Sequence, residues 1–224
     1  MEKLMDDYSG CIDKWNYALY QHCSFHRSLD FDEQEFEKNN HRMNSLLCEM
    51  LVIASRESKV KADFSSPRVI PIPHGNAVSI FSSKLNLEVI FGIYINKFYM
   101  EASFNYPEYM SKVDCDFWSQ LSLLTELGEL SFHENTSPDT TLADKLRKQH
   151  KVVKSTVFKI IQHCIICADA QCINDGTIEV SWDMSTPLGE LLTKLPAVFS
   201  SIYKLNNQLY RRHYIVEKSR NKRN

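Results

Sequence analysis

The sequence predicts a single α+β domain in which an antiparallel four-stranded meander, over about residues 68–104, is flanked by long amphipathic helices. Three observations lead there. The chain has 224 residues, 43% of them hydrophobic, with 12 Phe, 10 Tyr and 3 Trp, enough for one sizeable core and too little for two ordinary ones. Between Arg68 and Phe104 the apolar residues come in short β-rich runs broken by turn residues. On both sides of that region they return to spacings of three and four.

Taken in order, residues 11–23, with Trp15, Tyr17 and Tyr20, read as a short helix covering one end of the core. Over 33–56 the residues Phe36, Met43, Leu46, Leu47, Met50, Ile53 and Ala54 share one helical arc, and the carboxylates Asp32, Glu33, Glu35 and Glu37 suit the positive end of its dipole. Four strands follow at 68–72, 77–82, 87–95 and 97–104. Pro71 and Pro73 place the first at an edge, and the nearly all-apolar third is the expected central strand. Asp114 or Asp116 caps a helix through Phe117, Trp118, Leu121, Leu124 and Leu127, with Gly128 as its stop.

A polar loop is expected over 131–140, and Thr141 with Asp144 then opens a long helix over about 142–168. The turn Asn174-Asp175-Gly176 leads into a strand at 177–182. Ser185-Thr186-Pro187 opens the last helix, which Pro196 is expected to kink or restart. Its apolar face runs through Phe199, Ile202, Leu205 and Leu209 to Val216. Leu195, Phe199, Ile202, Asn206, Leu209 and His213 form a heptad-like seam, suited to the 33–56 helix or to a second subunit. The domain spans 1–217 and leaves 218–224 as a basic tail.

Several functions lose their support at this level. Six scattered glycines build no phosphate loop, and Gly-x-Gly-x-x-Gly, Gly-Lys-Ser/Thr, Gly-x-Ser-x-Gly and His-Glu-x-x-His are absent. Glu88 and Glu101 lack the following Lys of a restriction-type nuclease site. Arg68-x5-His74 resembles the dyad of the helical HEPN ribonucleases, yet it falls on a strand and turn. His22, Cys23 and His26, and His163, Cys164, Cys167 and Cys172, are the two Cys/His clusters. Cys164 and Cys167 continue the apolar stripe of the 142–168 helix, so a buried-thiol role outweighs zinc, and His150 at its edge reads as a core histidine. No cofactor and no metal are expected.

Seven irregularly spaced cysteines, an acidic start without an apolar segment, and no run long enough to span a bilayer point to an intracellular, cytoplasmic protein. Abundant Phe, Tyr and Met beside only 6 Gly and 7 Pro suggest an AT-rich gene, as in a phage, plasmid or defence island.

Net charge is −2, but residues 1–142 carry 12 Lys/Arg and 21 Asp/Glu, while residues 143–224 carry 14 and 7. Much of the basic excess sits in two places. Arg147, Lys148, Lys151 and Lys154 share the polar face of the 142–168 helix, and Arg220, Lys222 and Arg223 fall in the tail. Beside them, Tyr203, Tyr210 and Tyr214 flank the apolar stripe of the last helix, with Arg211 adjacent, which is chemistry suited to a protein interface. The first expectation is a non-enzymatic interaction or regulatory protein that binds another protein, or itself, through that helix. The alternative is a nucleic-acid-binding protein using the two basic elements. A third is a nuclease or hydrolase with a scattered site.

Overall fold

The structure is a computed structural model, and it describes residues 33–72, 75–134, 156–161 and 176–222. Helix α1 (Glu33–Glu57) precedes four strands, β1 (Arg68–Ile72), β2 (Gly75–Ser82), β3 (Leu87–Tyr94) and β4 (Lys97–Ser103). A 3-10 helix (Pro107–Lys112), α2 (Cys115–Leu127), β5 (Glu129–Glu134), β6 (Gly176–Asp183) and α3 (Leu188–Asn221) complete the described elements. The α+β class and the antiparallel meander stand as the sequence predicts.

The strand count does not. The sheet has six strands in the order β1-β2-β3-β4-β6-β5, every neighbouring pair antiparallel, rather than four. β5 occupies the start of the expected polar loop. Its Leu130 and Phe132 alternate inward between Glu129, Ser131 and His133, a period-two pattern too short and too polar to stand out. β6 then inserts between β4 and β5, so the chain visits the far edge before returning inward.

One face of the sheet carries the core. Val78, Ile80, Val89, Phe91, Ile93, Phe98, Met100, Ile178 and Val180 meet the stripe Met43, Leu46, Leu47, Met50 and Ala54 of α1, Phe117, Leu121 and Leu124 of α2, and Leu191 through Leu209 of α3. The expected docking of the last helix on the first is present, since α1 and α3 pack together. The seam residue Asn206 is almost fully buried, and its polarity is used. Its Nδ2 donates to Ile202 O at 3.2 Å, and its Oδ1 accepts from Asn105 N at 3.2 Å. A second buried amide registers α1 on the sheet: Asn76 Nδ2 of β2 donates to Oδ1 of Asn40 and of Asn44, one helical turn apart.

Local signals behave as their chemistry requires. Asp114 caps α2, accepting from Asp116 N and Phe117 N. Gly128 ends that helix in extended backbone, where a Cβ would stand 2.7 Å from Val180 Cγ1 and 2.8 Å from Trp182 Nε1. The Trp182 indole donates to Leu127 O at 2.7 Å, satisfying a carbonyl at the helix end. The Asp63 carboxylate accepts from Ser82 Oγ, Ser83 Oγ and Lys84 N, clasping the turn after β2.

Pro196 neither restarts nor interrupts α3, which runs on from Leu188 to Asn221. A proline there forgoes one backbone hydrogen bond, at a cost of about 3 kcal/mol. Burial of Leu192, Leu195, Val198 and Phe199 on both sides of it offsets that loss. Residues 156–161, inside the expected 142–168 helix, are helical; Ile160 is buried, and Thr156 Oγ1 donates to Leu130 O at 2.9 Å. No helix among the described residues is long and apolar enough to cross a membrane.

Candidate functional site

Two regions stand out, one on each side of the molecule's chemistry. The first is a cavity of about 540 Å³ on the sheet face opposite the core, at the end where the β3–β4 hairpin meets β6. Alternation determines its lining. Lys97, Tyr99 and Glu101 of β4 point away from Phe98, Met100 and Ala102, as Glu179 and Asp183 of β6 point away from Val180 and Trp182. Register then pairs them: Glu101 lies opposite Glu179, Tyr99 opposite Ser181 and Lys97 opposite Asp183. Ile72, Tyr94, Ile95 and Asn96 complete the wall.

The electrostatics follow from those pairings. Burial, then the carboxylates of Glu179 and Glu88, push the Glu101 carboxyl up to about 7. Lys97 reaches across β6 to Glu129, whose carboxylate, with lesser help from Glu179 and Asp183, raises the lysine's pKa. Asp183 accepts from Ser185 N at 2.8 Å, and bonds to Ser185 hold its carboxyl below the ordinary range. His133 Nε2 of β5 lies 3.8 Å from Glu179 Oε2. Tyr99 is only 7% exposed, and burial followed by Glu101 and Glu179 drives its phenol pKa upward, so the hydroxyl stays protonated. No group of three or more His, Cys, Asp or Glu suited to a metal ion occurs among the described residues.

The sequence singles out Glu101 only for a lysine it lacks, and it does not single out Tyr99 or Glu179. The available signal is the matched alternation of Lys97-Phe-Tyr-Met-Glu101 and Thr177-Ile-Glu179-Val-Ser-Trp-Asp183, which marks polar faces but leaves their pairing open.

The second region lies on α3. Its buried stripe ends at Leu209, while Arg211, Arg212, Tyr214 and Ile215 are exposed. Tyr210 and Tyr214 stack at 6.3 Å between ring centroids. Tyr106 at the start of the 3-10 helix lies against Tyr210 and stacks on His213 at 4.1 Å, and Tyr109 meets the same histidine edge-on at 5.9 Å. Lys218 stands over the Tyr214 ring and Lys112 over that of Tyr109. Tyr210 and Tyr214 thus belong to a cluster of five contiguous rings, to which half-buried Tyr106 and buried Tyr109 come from outside the helix and of which Tyr214 is the exposed member. Tyr203 takes a different part, half-buried with its ring at 6.3 Å from Phe64.

Of the basic residues expected at a nucleic acid, Arg220 is exposed and paired with Glu217 at 2.9 Å, and Lys222 is exposed at the end of α3. Arg147, Lys148, Lys151, Lys154 and Arg223 lie outside the described residues, as do His150, both Cys/His clusters and the 11–23 segment. Arg68 of the Arg-x5-His pair is engaged by Ser79 Oγ and by Glu88 at 2.7 Å, and His74 is outside the described residues. Compared with family models, curated proteins and solved structures, the chain matches none.

Proposed function

We propose that this is an intracellular, non-enzymatic interaction protein that docks a partner macromolecule on exposed Tyr214 and the partly exposed rings of Tyr106, Tyr210 and His213, which buried Tyr109 backs. The contiguity of those rings across two elements carries the reading. Aromatic side chains bring large contact area with few rotatable bonds, and tyrosine and arginine dominate the energetics of protein interfaces. Arg211 and Arg212 at the border, with Lys112 and Lys218 over the rings, favour an acidic partner surface.

The test is a paired measurement on the wild type and the double variant Tyr214→Ser/Ile215→Ser. Light scattering over a concentration series reads self-association, and co-purification with neighbouring gene products reads a foreign partner. The expected result is an assembly with the wild type that the variant loses. A wild-type monomer with no partner, or an assembly untouched by the double substitution, overturns the reading. Salt-dependent binding to DNA or RNA, lost on reversing Lys218, Arg220 and Lys222, is the outcome that favours the nucleic-acid alternative.

A further inference from the structure

We propose that the cavity on the open sheet face is a binding site for a small organic cation, an ammonium or guanidinium group carried on a short apolar body. The proposal is independent of the ring surface and uses none of its residues.

Three observations converge on that chemistry. The volume of about 540 Å³ falls within the range of small-molecule sites. Glu101, Glu179 and Asp183 face one cation, Lys97, and Glu129 already binds it. The charge left in the cavity is therefore negative. The third observation is the Tyr99 side chain, only 7% exposed, which lines the cavity and brings a hydroxyl as well as a ring face to its wall. A phenol hydroxyl at the wall of a cavity can accept a ligand N–H in place of water.

The walls distinguish an organic cation from a metal ion. Ile72, Tyr94, Ile95 and the Tyr99 ring supply no oxygen shell to replace the water of a small hard cation, which needs six or more oxygen ligands. The same walls suit the hydrocarbon of an amine, and the tyrosine faces attract its charge. Glu101 and Glu179 lie directly opposite one another across β4 and β6, so their carboxylates repel until a positive group stands between them. Binding a cation relieves that repulsion; an anion adds to it.

Ligand-observed NMR on the full chain tests this with butylamine, benzylamine and agmatine, each amine compared with its alcohol and carboxylate counterparts. The amines are expected to bind at least tenfold more tightly than the carboxylates. Glu101→Gln with Glu179→Gln should weaken them tenfold or more, and Tyr99→Phe several-fold. Both variants should fold, since the first relieves a like-charge cross-strand pair and the second keeps the ring in place; circular dichroism checks this. No amine binding up to about 10 mM, equal binding of amines and carboxylates, or amine affinity unmoved by the double substitution overturns the proposal.

Discussion

The ring of Tyr99 lies across Gly92, its direct neighbour on β3, so closely that a Cβ on Gly92 would stand 2.9 Å from both Cε1 and the hydroxyl oxygen of Tyr99. The same Cβ would meet the backbone oxygen of Asn76 at 2.5 Å. An aromatic side chain covering a cross-strand glycine protects the backbone that the glycine leaves bare. Here it also sets the position of the ring that lines the cavity.

Gly92→Ala is therefore expected to destabilise the fold by about 2–3 kcal/mol, read from urea unfolding. Adding Tyr99→Ala removes one of the two clashes, so the pair should cost less than the sum of the single changes. Simple additivity would mean that the ring does not press on residue 92.

Asn206 offers a sharper test of buried polarity. Its side chain is the acceptor for Asn105 N, and removing it leaves that N–H without its partner. Asn206→Ala should cost about 1–3 kcal/mol. Asn206→Leu, though apolar and similar in volume, should not restore stability, because it supplies no acceptor. A stabilised leucine variant would contradict the hydrogen bond's role.

The Glu101 carboxyl gives the fold a pH dependence with a definite sign. Its folded pKa, raised to about 7 from the ordinary 4.5, means that the native state holds this proton more tightly than the unfolded chain. The associated stability is fully present below about pH 4.5 and is lost as pH rises through 7. Relative to wild type, Glu101→Gln should gain about 1–2 kcal/mol near pH 8, a figure reduced for partial exposure, and almost nothing near pH 4.5. Thermal melts of both proteins across that range check it; a difference independent of pH would show that Glu101 does not titrate there.

Ile95, at the rim of the cavity, adopts φ 56°, a left-handed conformation unfavourable for a β-branched side chain. Ile95→Gly should raise stability by about 0.5–1 kcal/mol, because relief of the backbone outweighs the loss of a side chain that is 39% exposed. Ile95→Asn should follow the same direction, as asparagine already fills the comparable position 86 at φ 49°. Loss of stability in both variants would contradict the strain.

Local chemistry was sufficient for much of the architecture. The stripe from Met43 to Ala54 set the first helix, Pro71 placed β1 at an edge, Asp114 began α2, and the apolar run from Leu87 marked an interior strand. These features depend on neighbours within a few residues, so their periodicity and backbone chemistry are written in the chain. Pro196 did not restart the helix: its local penalty is real, but burial on both sides keeps α3 continuous through it. The two tyrosines of the stripe that join the ring surface, Tyr210 and Tyr214, were visible on α3; their neighbours Tyr106 and Tyr109 were not, because only the fold lays the 3-10 helix beside α3.

By itself the sequence determined the class of the fold, the meander that begins at Arg68, its edge strand and its apolar interior strand. Only the tertiary structure decided that β6 lies between β4 and β5, bringing Glu179 opposite Glu101 and closing the cavity around Tyr99. The physical reason is that alternation fixes which side a residue faces, whereas the partner and register of a strand come from long-range packing that no local pattern encodes.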